Sequence, residues 1–208
     1  MSTQLSREDF FSEWSCHHGG APITGATRWW LKNSYVSARI ATALKFSPNA
    51  LTAAGLIAAI AMALSNNTWL SLALLALSLY FDGIDGSVAI IQGRASQRGG
   101  VLDSLADRIS EGLWLYAAYR AGLPLWCALI LWAIASTQEY ARARLASLGF
   151  KEIGVVTMCE RPVRAIATAF ILLATFVNQS STNIAGAIYL AMTVISFVQV
   201  MKYAKKTL

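Results

Sequence analysis

Charge is scarce in this 208-residue chain. Asp, Glu, Lys and Arg together make up 13% of it and hydrophobic residues 56%, where an ordinary soluble domain has about 25% charged residues. Residues 51–64 and 165–177 hold no charged side chain at all, which excludes soluble amphipathic helices there, because such helices need a polar face. Cysteine is rare as well. Cys16, Cys127 and Cys159 are odd in number and scattered, so no disulfide framework is expected. Low-complexity linkers and repeats of about 20 to 50 residues are missing, which leaves one domain. The first 27 residues are polar and mixed in charge, without the basic start and apolar core of a secretory signal, so no cleavable leader is expected. The run Cys16-His17-His18 lacks a second ligand pair and reads as a solvated N-terminus rather than a metal site.

What the chain has is long apolar runs. Spans of the about 20 residues that a bilayer requires fit at 51–65, 69–91, 99–121, 124–148, 163–179 and 182–201. The expected fold is an all-α integral membrane protein with six transmembrane helices. Before them, residues 28–46 space Val36, Ile40 and Leu44 four apart among Arg28, Lys32, Arg39 and Lys45, with Trp29 and Trp30 at the start. This is the pattern of an amphipathic helix lying in the membrane interface. Trp69, Trp126 and Trp132 read as interface anchors near span ends. The expected organisation is a polar segment 1–27, a juxtamembrane helix 28–46 and a membrane domain 47–208. Nearly all Lys and Arg fall before span one, between spans two and three, around the loop between spans four and five, or after span six. The positive-inside rule then puts both termini, and loops 93–100 and 149–164, in the cytoplasm of an integral cell membrane protein. The net charge of +6 favours anionic headgroups of membrane lipid or phosphorylated substrates as partners, not nucleic acid.

Acidic residues are few, yet four aspartates stand in apolar surroundings: Asp82 and Asp85 near the end of span two, Asp103 and Asp107 near the start of span three. A carboxylate at the centre of a membrane helix costs at least about 2.5–3.5 kcal/mol. Spacings of three and four put each pair on one helix face, and the short loop 93–100 brings the two faces together. Facing carboxylates repel unless positive charge is supplied, and Arg108 alone is too little. Divalent ions meet the need: Mg²⁺ takes a few carboxylates plus substrate phosphates, and two such ions about 3.5–4 Å apart suit displacement at phosphorus. Gly83, Gly86 and Ala89 share or flank the face of the first pair and leave room for a phosphate-bearing ligand; Gly99 and Gly100 serve either that end or close helix packing.

The spacing Asp82-xx-Asp85-Gly86-xx-Ala89, then Gly99-xxx-Asp103-xxx-Asp107, is seven fixed positions in 26 residues. It resembles the signature of the CDP-alcohol phosphotransferases, six-span membrane enzymes that move a phosphatidyl-type group from a CDP-linked donor to an alcohol and release CMP. Ser47-Pro48-Asn49-Ala50-Leu51-Thr52 looks like that family's opening of the first span, at the nucleotide end. Asp103-Ser104-xx-Asp107-Arg108 with Glu111-Gly112 looks most like the branch that uses inositol phosphate. Tyr140-Ala141-Arg142-Ala143-Arg144 and Glu160-Arg161-xx-Arg164 are placed like its acceptor-phosphate residues. The likeness covers roughly 45–170.

The resemblance implies that Asp82, Asp85, Asp103 and Asp107 hold two Mg²⁺ (or Mn²⁺) ions and that Asp107 is the general base. It implies that Pro48, Asn49, Thr52, Gly86, Ala89, Arg94 and Gly99 bind a donor such as CDP-diacylglycerol. Arg108, Arg142, Arg144, Arg161 and Arg164 would bind a phosphorylated alcohol acceptor, inositol phosphate ahead of glycerol 3-phosphate, while Lys151 reads as ordinary cytoplasmic charge. A homodimer is implied too. One position departs: the family has Arg after the Ala, and this chain has Ile90. Arg94, one turn later on the same helix face, is the expected substitute. The competing classes are an ion transporter and a family member that binds nucleotide or lipid without turnover.

Overall fold

Small polar residues and glycines punctuate the chain where its helices begin and end. The computed structural model describes residues 5–17, 20, 22–150 and 156–208, and all regular structure among them is α-helical. The helices are α1 (Arg7–His17), α2 (Gly25–Ala43), α3 (Pro48–Leu64), α4 (Thr68–Ile91), α5 (Gln97–Arg120), α6 (Leu125–Ser147), α7 (Arg161–Ala174) and α8 (Gln179–Thr207). The Ser47 hydroxyl accepts from the Ala50 N–H (3.2 Å), Asn67 Oδ1 from Leu70 (3.0 Å), Ser96 Oγ from Gly99 (3.1 Å) and Asn178 Oδ1 from Ser181 (2.8 Å), which starts α3, α4, α5 and α8.

The ends are equally specific. Gly93, Gly122 and Gly149 take positive φ angles after α4, α5 and α6, and Lys45 does so after α2. Each is followed by the paired backbone bonds of a Schellman stop, such as Gly93 N–H to Ile90 O (3.0 Å) and Arg94 N–H to Ala89 O (2.8 Å). Two expectations change here. The fifth apolar run was expected to extend through 179, yet α7 stops at Ala174, because the Asn178 cap opens α8 at Gln179. The polar segment 1–27 contains an eleven-residue helix, α1, whose Phe10 and Phe11 are buried.

Helices α4 and α8 are each long and apolar enough to cross a membrane, and α2 with α3 forms a pair bent by 107° that passes the same test jointly. These long apolar helices make the chain a membrane protein.

The chain forms two compact units, and α3, α4 and α5 each pass from one into the other. The first comprises residues through Ile57 and Leu77–Asp107. In it α2 buries Ala38 and Ala41 against Leu51, Ile84 and Val88. Leu31 and Tyr35 of α2 close over Phe10 and Phe11 of α1. Ser34 and Ser87 hydroxyls bond across the α2–α4 contact at 2.5 Å. The opposite face of α2 exposes Val36, Ile40 and Leu44, so this helix has two apolar stripes rather than one.

The second unit comprises Ala58–Ala76 and Arg108–Leu208. Its core joins Leu115, Leu123, Cys127, Leu131, Ile171 and Tyr189, with α8 packed on both α6 and α7. Arg120 is tied down by donating to Ala63 O at 2.8 Å and to Asn66 Oδ1. Trp132 is not a simple span-end anchor. Its Nε1 donates to Arg108 O at 3.0 Å, and a Cβ on Gly112 would meet the same ring atom at 3.1 Å.

Because the Asn178 carboxamide supplies the cap of α8, Asn178→Ala should lower thermal stability in detergent by about 1 kcal/mol. Hydrogen exchange of the amides at 179–182 should rise with it, while that of α6 stays unchanged.

Candidate active site

Three carboxylates converge in the first unit. Asp82 on α4 and Asp103 and Asp107 on α5 each offer an oxygen atom, all within 4.8 Å of one another. The faces of the two helices therefore meet as their spacings predict. Asp85 lies one turn from Asp82 and is buried. Its Oδ2 accepts from the Thr52 hydroxyl and its Oδ1 from the Gly86 N–H at 2.5 Å. Each of its oxygens keeps a second lone pair, so these bonds orient the carboxylate without exhausting it. The donor set is hard oxygen, half-buried and negatively charged, which fits a divalent cation of the Mg²⁺ or Mn²⁺ kind.

Asp82, Asp85 and Asp103 form part of the wall of a cavity of about 440 Å³, within the range of sites for small ligands and cofactors. Pro48, Asn49 and Thr52 from the start of α3 border it, as do Gly86, Ala89, Arg94 and Gly99. All seven residues expected at a nucleotide are thus brought together. Gly86 has no atom within 4 Å of where a Cβ would stand, so its bare backbone faces open space. Gly83 differs: a Cβ there would collide with the Trp30 ring. An aromatic side chain, and not ligand, uses the room that Gly83 leaves.

Arg94 reaches the cavity by another route than expected. It is not one turn further along α4, because Gly93 at φ +62° ends that helix and Arg94 occupies the following, non-helical position. The Schellman geometry is what sets it at the cavity rim. Ile90, the departure from the family pattern, also borders the cavity and packs with Ile91 against the Phe10, Phe11, Leu31 and Tyr35 cluster.

Basic residues gather in the second unit around acidic partners. Glu111 is 3% exposed and accepts from Arg108 Nη1 at 2.7 Å and Arg164 Nε at 2.9 Å, with Arg161 Nε at 3.8 Å. Arg164 is 1% exposed and also pairs with Glu139 at 3.2 Å. Arg164, expected at the acceptor phosphate, is buried between Glu111 and Glu139. Arg142 pairs with Glu160 at 2.7 Å and Glu139 at 3.5 Å, Arg161 lies over the Trp114 ring at 5.2 Å, and Arg144 is exposed. Lys151 and His18 lie outside the described residues.

Trp14, His17 and Trp30 border the cavity, although the sequence pattern marks Trp30 only as an interface residue and His17 only as part of a solvated N-terminus. Phe10 and Trp14, four apart on α1, were the available signal for a helix with one packed face.

Long apolar helices carrying a carboxylate cluster beside a cavity are the frame of a membrane phosphotransferase class, and the family model for CDP-alcohol phosphatidyltransferase matches residues 45–199. The chain belongs to this family. It is 34% identical over 183 residues to the archaetidylinositol phosphate synthase of Aeropyrum pernix, covering 82% of this chain and 92% of that one. It is 35% identical over 143 residues to the phosphatidylinositol phosphate synthase of Corynebacterium glutamicum, covering 63% and 64%. The crystal structure of Mycobacterium tuberculosis phosphatidylinositol phosphate synthase with CDP-DAG bound shares the fold, with a TM-score of 0.66 at 23% identity over 82% of this chain and 92% of that one.

The Glu160 carboxyl carries a pH signature. Burial pushes its pKa up, but the Arg142 guanidinium and the Thr157 N–H outweigh burial and hold it below the ordinary value of 4.5. A carboxyl depressed in the folded state contributes stability in full above 4.5 and loses it as pH falls through the lower folded value. Thermal melts between pH 6 and pH 3 should show Glu160→Gln less stable than the parent at the upper end and converging with it at the lower.

Proposed function

We propose that this chain transfers a phosphatidyl-type group from a CDP-linked lipid, such as CDP-diacylglycerol, to a hydroxyl of inositol phosphate, releasing CMP. The observation that carries the reading is the meeting of Asp82, Asp103 and Asp107 beside a cavity walled by Pro48, Asn49, Thr52 and Gly86. Relatives named as inositol phosphate lipid synthases support the choice of acceptor.

Asp82, Asp85, Asp103 and Asp107 are the ligands we assign to a pair of Mg²⁺ or Mn²⁺ ions, which when bound would neutralise the donor diphosphate and polarise its phosphorus. Asp107 takes the proton of the acceptor hydroxyl. The hydroxyl oxygen then bonds to the lipid-linked phosphorus, the bond from that phosphorus to the CMP oxygen breaks, and CMP departs with the electron pair. Asn49, Thr52, Gly86 and Arg94 hold the nucleotide end, where bare backbone at Gly86 admits the diphosphate and Arg94 supplies a cation in place of the one missing at Ile90. Arg108, Arg142, Arg144 and Arg161 take the acceptor phosphate. Arg164 acts through Glu111 and Glu139 by fixing their guanidinium partners, a planar fork being suited to phosphate.

In the membrane, α3 to α8 form six spans and α2 lies in the interface with Val36, Ile40 and Leu44 towards lipid. Both termini and the site face the cytoplasm, where Lys and Arg concentrate. Lipid tails stay in the bilayer while the polar acceptor enters from water.

The test is CMP release from CDP-diacylglycerol in detergent with inositol phosphate or glycerol 3-phosphate. Activity should require Mg²⁺ or Mn²⁺, vanish with a chelator and favour inositol phosphate; absence of CMP with every acceptor, together with ion flux in liposomes, overturns the reading in favour of a transporter. Asp107→Asn should lower turnover by about 10²-fold or more, the usual worth of a general base, with membrane insertion intact. Arg94→Ala should raise the KM for the CDP-lipid several-fold and leave the KM for the acceptor within twofold.

A further inference from the structure

The N-terminal helix sits where no sequence motif placed function. α1 is anchored by Phe10, fully buried, and Phe11, in a cluster with Leu31 and Tyr35 of α2. The Tyr35 hydroxyl donates to Leu5 O at 2.9 Å, tying the strand of chain before α1 to α2. On the α4 side the cluster rests on Ile90 and Ile91. An arginine in place of Ile90 would bring a guanidinium against this apolar group, whereas isoleucine extends it. The helix so fixed carries Trp14, which packs on the cluster and also borders the cavity, and His17, one turn further on, which borders it too. Both side chains are at least partly exposed, so neither is buried filler. They join Trp30, whose ring fills the space over Gly83 on the same wall.

We infer that α1 is a wall of the donor site, with Trp14 stacking on the nucleobase of the CDP-lipid and His17 hydrogen-bonding an oxygen of the nucleotide. The inference rests on the reading of this cavity as the CDP-lipid site. The chemistry fits the parts. The carboxylates and Gly86 attend to the diphosphate and its ions, Asn49 and Thr52 are polar, and the flat pyrimidine ring is the portion of the donor that calls for an aromatic face. Stacking of a base on an indole is sequence-tolerant and substantial, and a helix held by a small apolar cluster presents it without a long loop. Ile90 then has a task of its own: it exchanges a cation at the nucleotide for a seat under the helix that brings an aromatic ring to it.

The full-length chain in detergent tests this in two ways. In the CMP-release assay Trp14→Ala should raise the KM for CDP-diacylglycerol about tenfold, as loss of one stacking partner does. Its kcat should fall no more than twofold and the acceptor KM should not move. Trp14→Phe should restore the donor KM to within about twofold, and His17→Ala should raise it about threefold. Independently, CMP with Mn²⁺ should slow hydrogen exchange of the amides at 7–17 together with those at 82–103. Protection at 82–103 without protection at 7–17, or a donor KM unmoved in Trp14→Ala, overturns the inference while the CDP-lipid reading stands. Faster turnover in Trp14→Ala overturns it as well, because α1 would then be an obstruction. No protection at either place and no CMP release in the parent protein overturns the CDP-lipid reading itself, and the inference with it.

Discussion

Carboxylates held among apolar helices set the terms for this protein. Each is costly in a membrane setting unless charge or hydrogen bonding balances it, and the two units answer the demand differently. In the second unit Glu111, Glu139 and Glu160 are balanced by guanidinium groups from Arg108, Arg142, Arg161 and Arg164. In the first, Asp82, Asp103 and Asp107 stand oxygen to oxygen, and Asp85 is held by a hydroxyl and a backbone amide. A cluster of hard carboxylate oxygens is suited to a divalent cation that comes and goes with a substrate. A fully paired network is suited to fixing geometry.

Helix termination is the second constraint, since it decides what reaches the cavity. Gly93 stops α4 and lets Arg94 leave the helix at the cavity rim, and the Ser96 cap restarts the chain so that Gly99 and Asp103 come round to the same cavity. Ser47 with Pro48 does the same at the opening of α3, where proline at the first helical position loses no hydrogen bond and Asn49 and Thr52 follow within one turn. Residues that look like loop chemistry are the means by which side chains from three helices meet.

Much of this was legible without coordinates. Periodicity and charge scarcity marked the long helices to within a few residues, except where the Asn178 cap shortened α7. The spacing of the aspartates carried enough information to bring α4 and α5 face to face, because residues three and four apart must share a helix face. Other parts were hidden. α1 is polar in most of its residues, and only contact with α2 makes a core of Phe10 and Phe11. Gly83 reads like Gly86, yet one is filled by Trp30 and the other borders empty space. Arg164 reads like any phosphate-binding arginine, and its burial between two glutamates depends on residues 53 and 25 positions away.

The sequence by itself determined the class of protein, the long apolar helices and the helix faces that carry the four aspartates, because hydropathy, helical period and local capping act over a few residues. Only the tertiary structure decided which of those aspartates converge, which arginines are buried among glutamates, and that Ile90 packs against a helix from the far N-terminus. Those outcomes come from pairings between distant segments, where the space left by one side chain is filled by another that no local pattern can name.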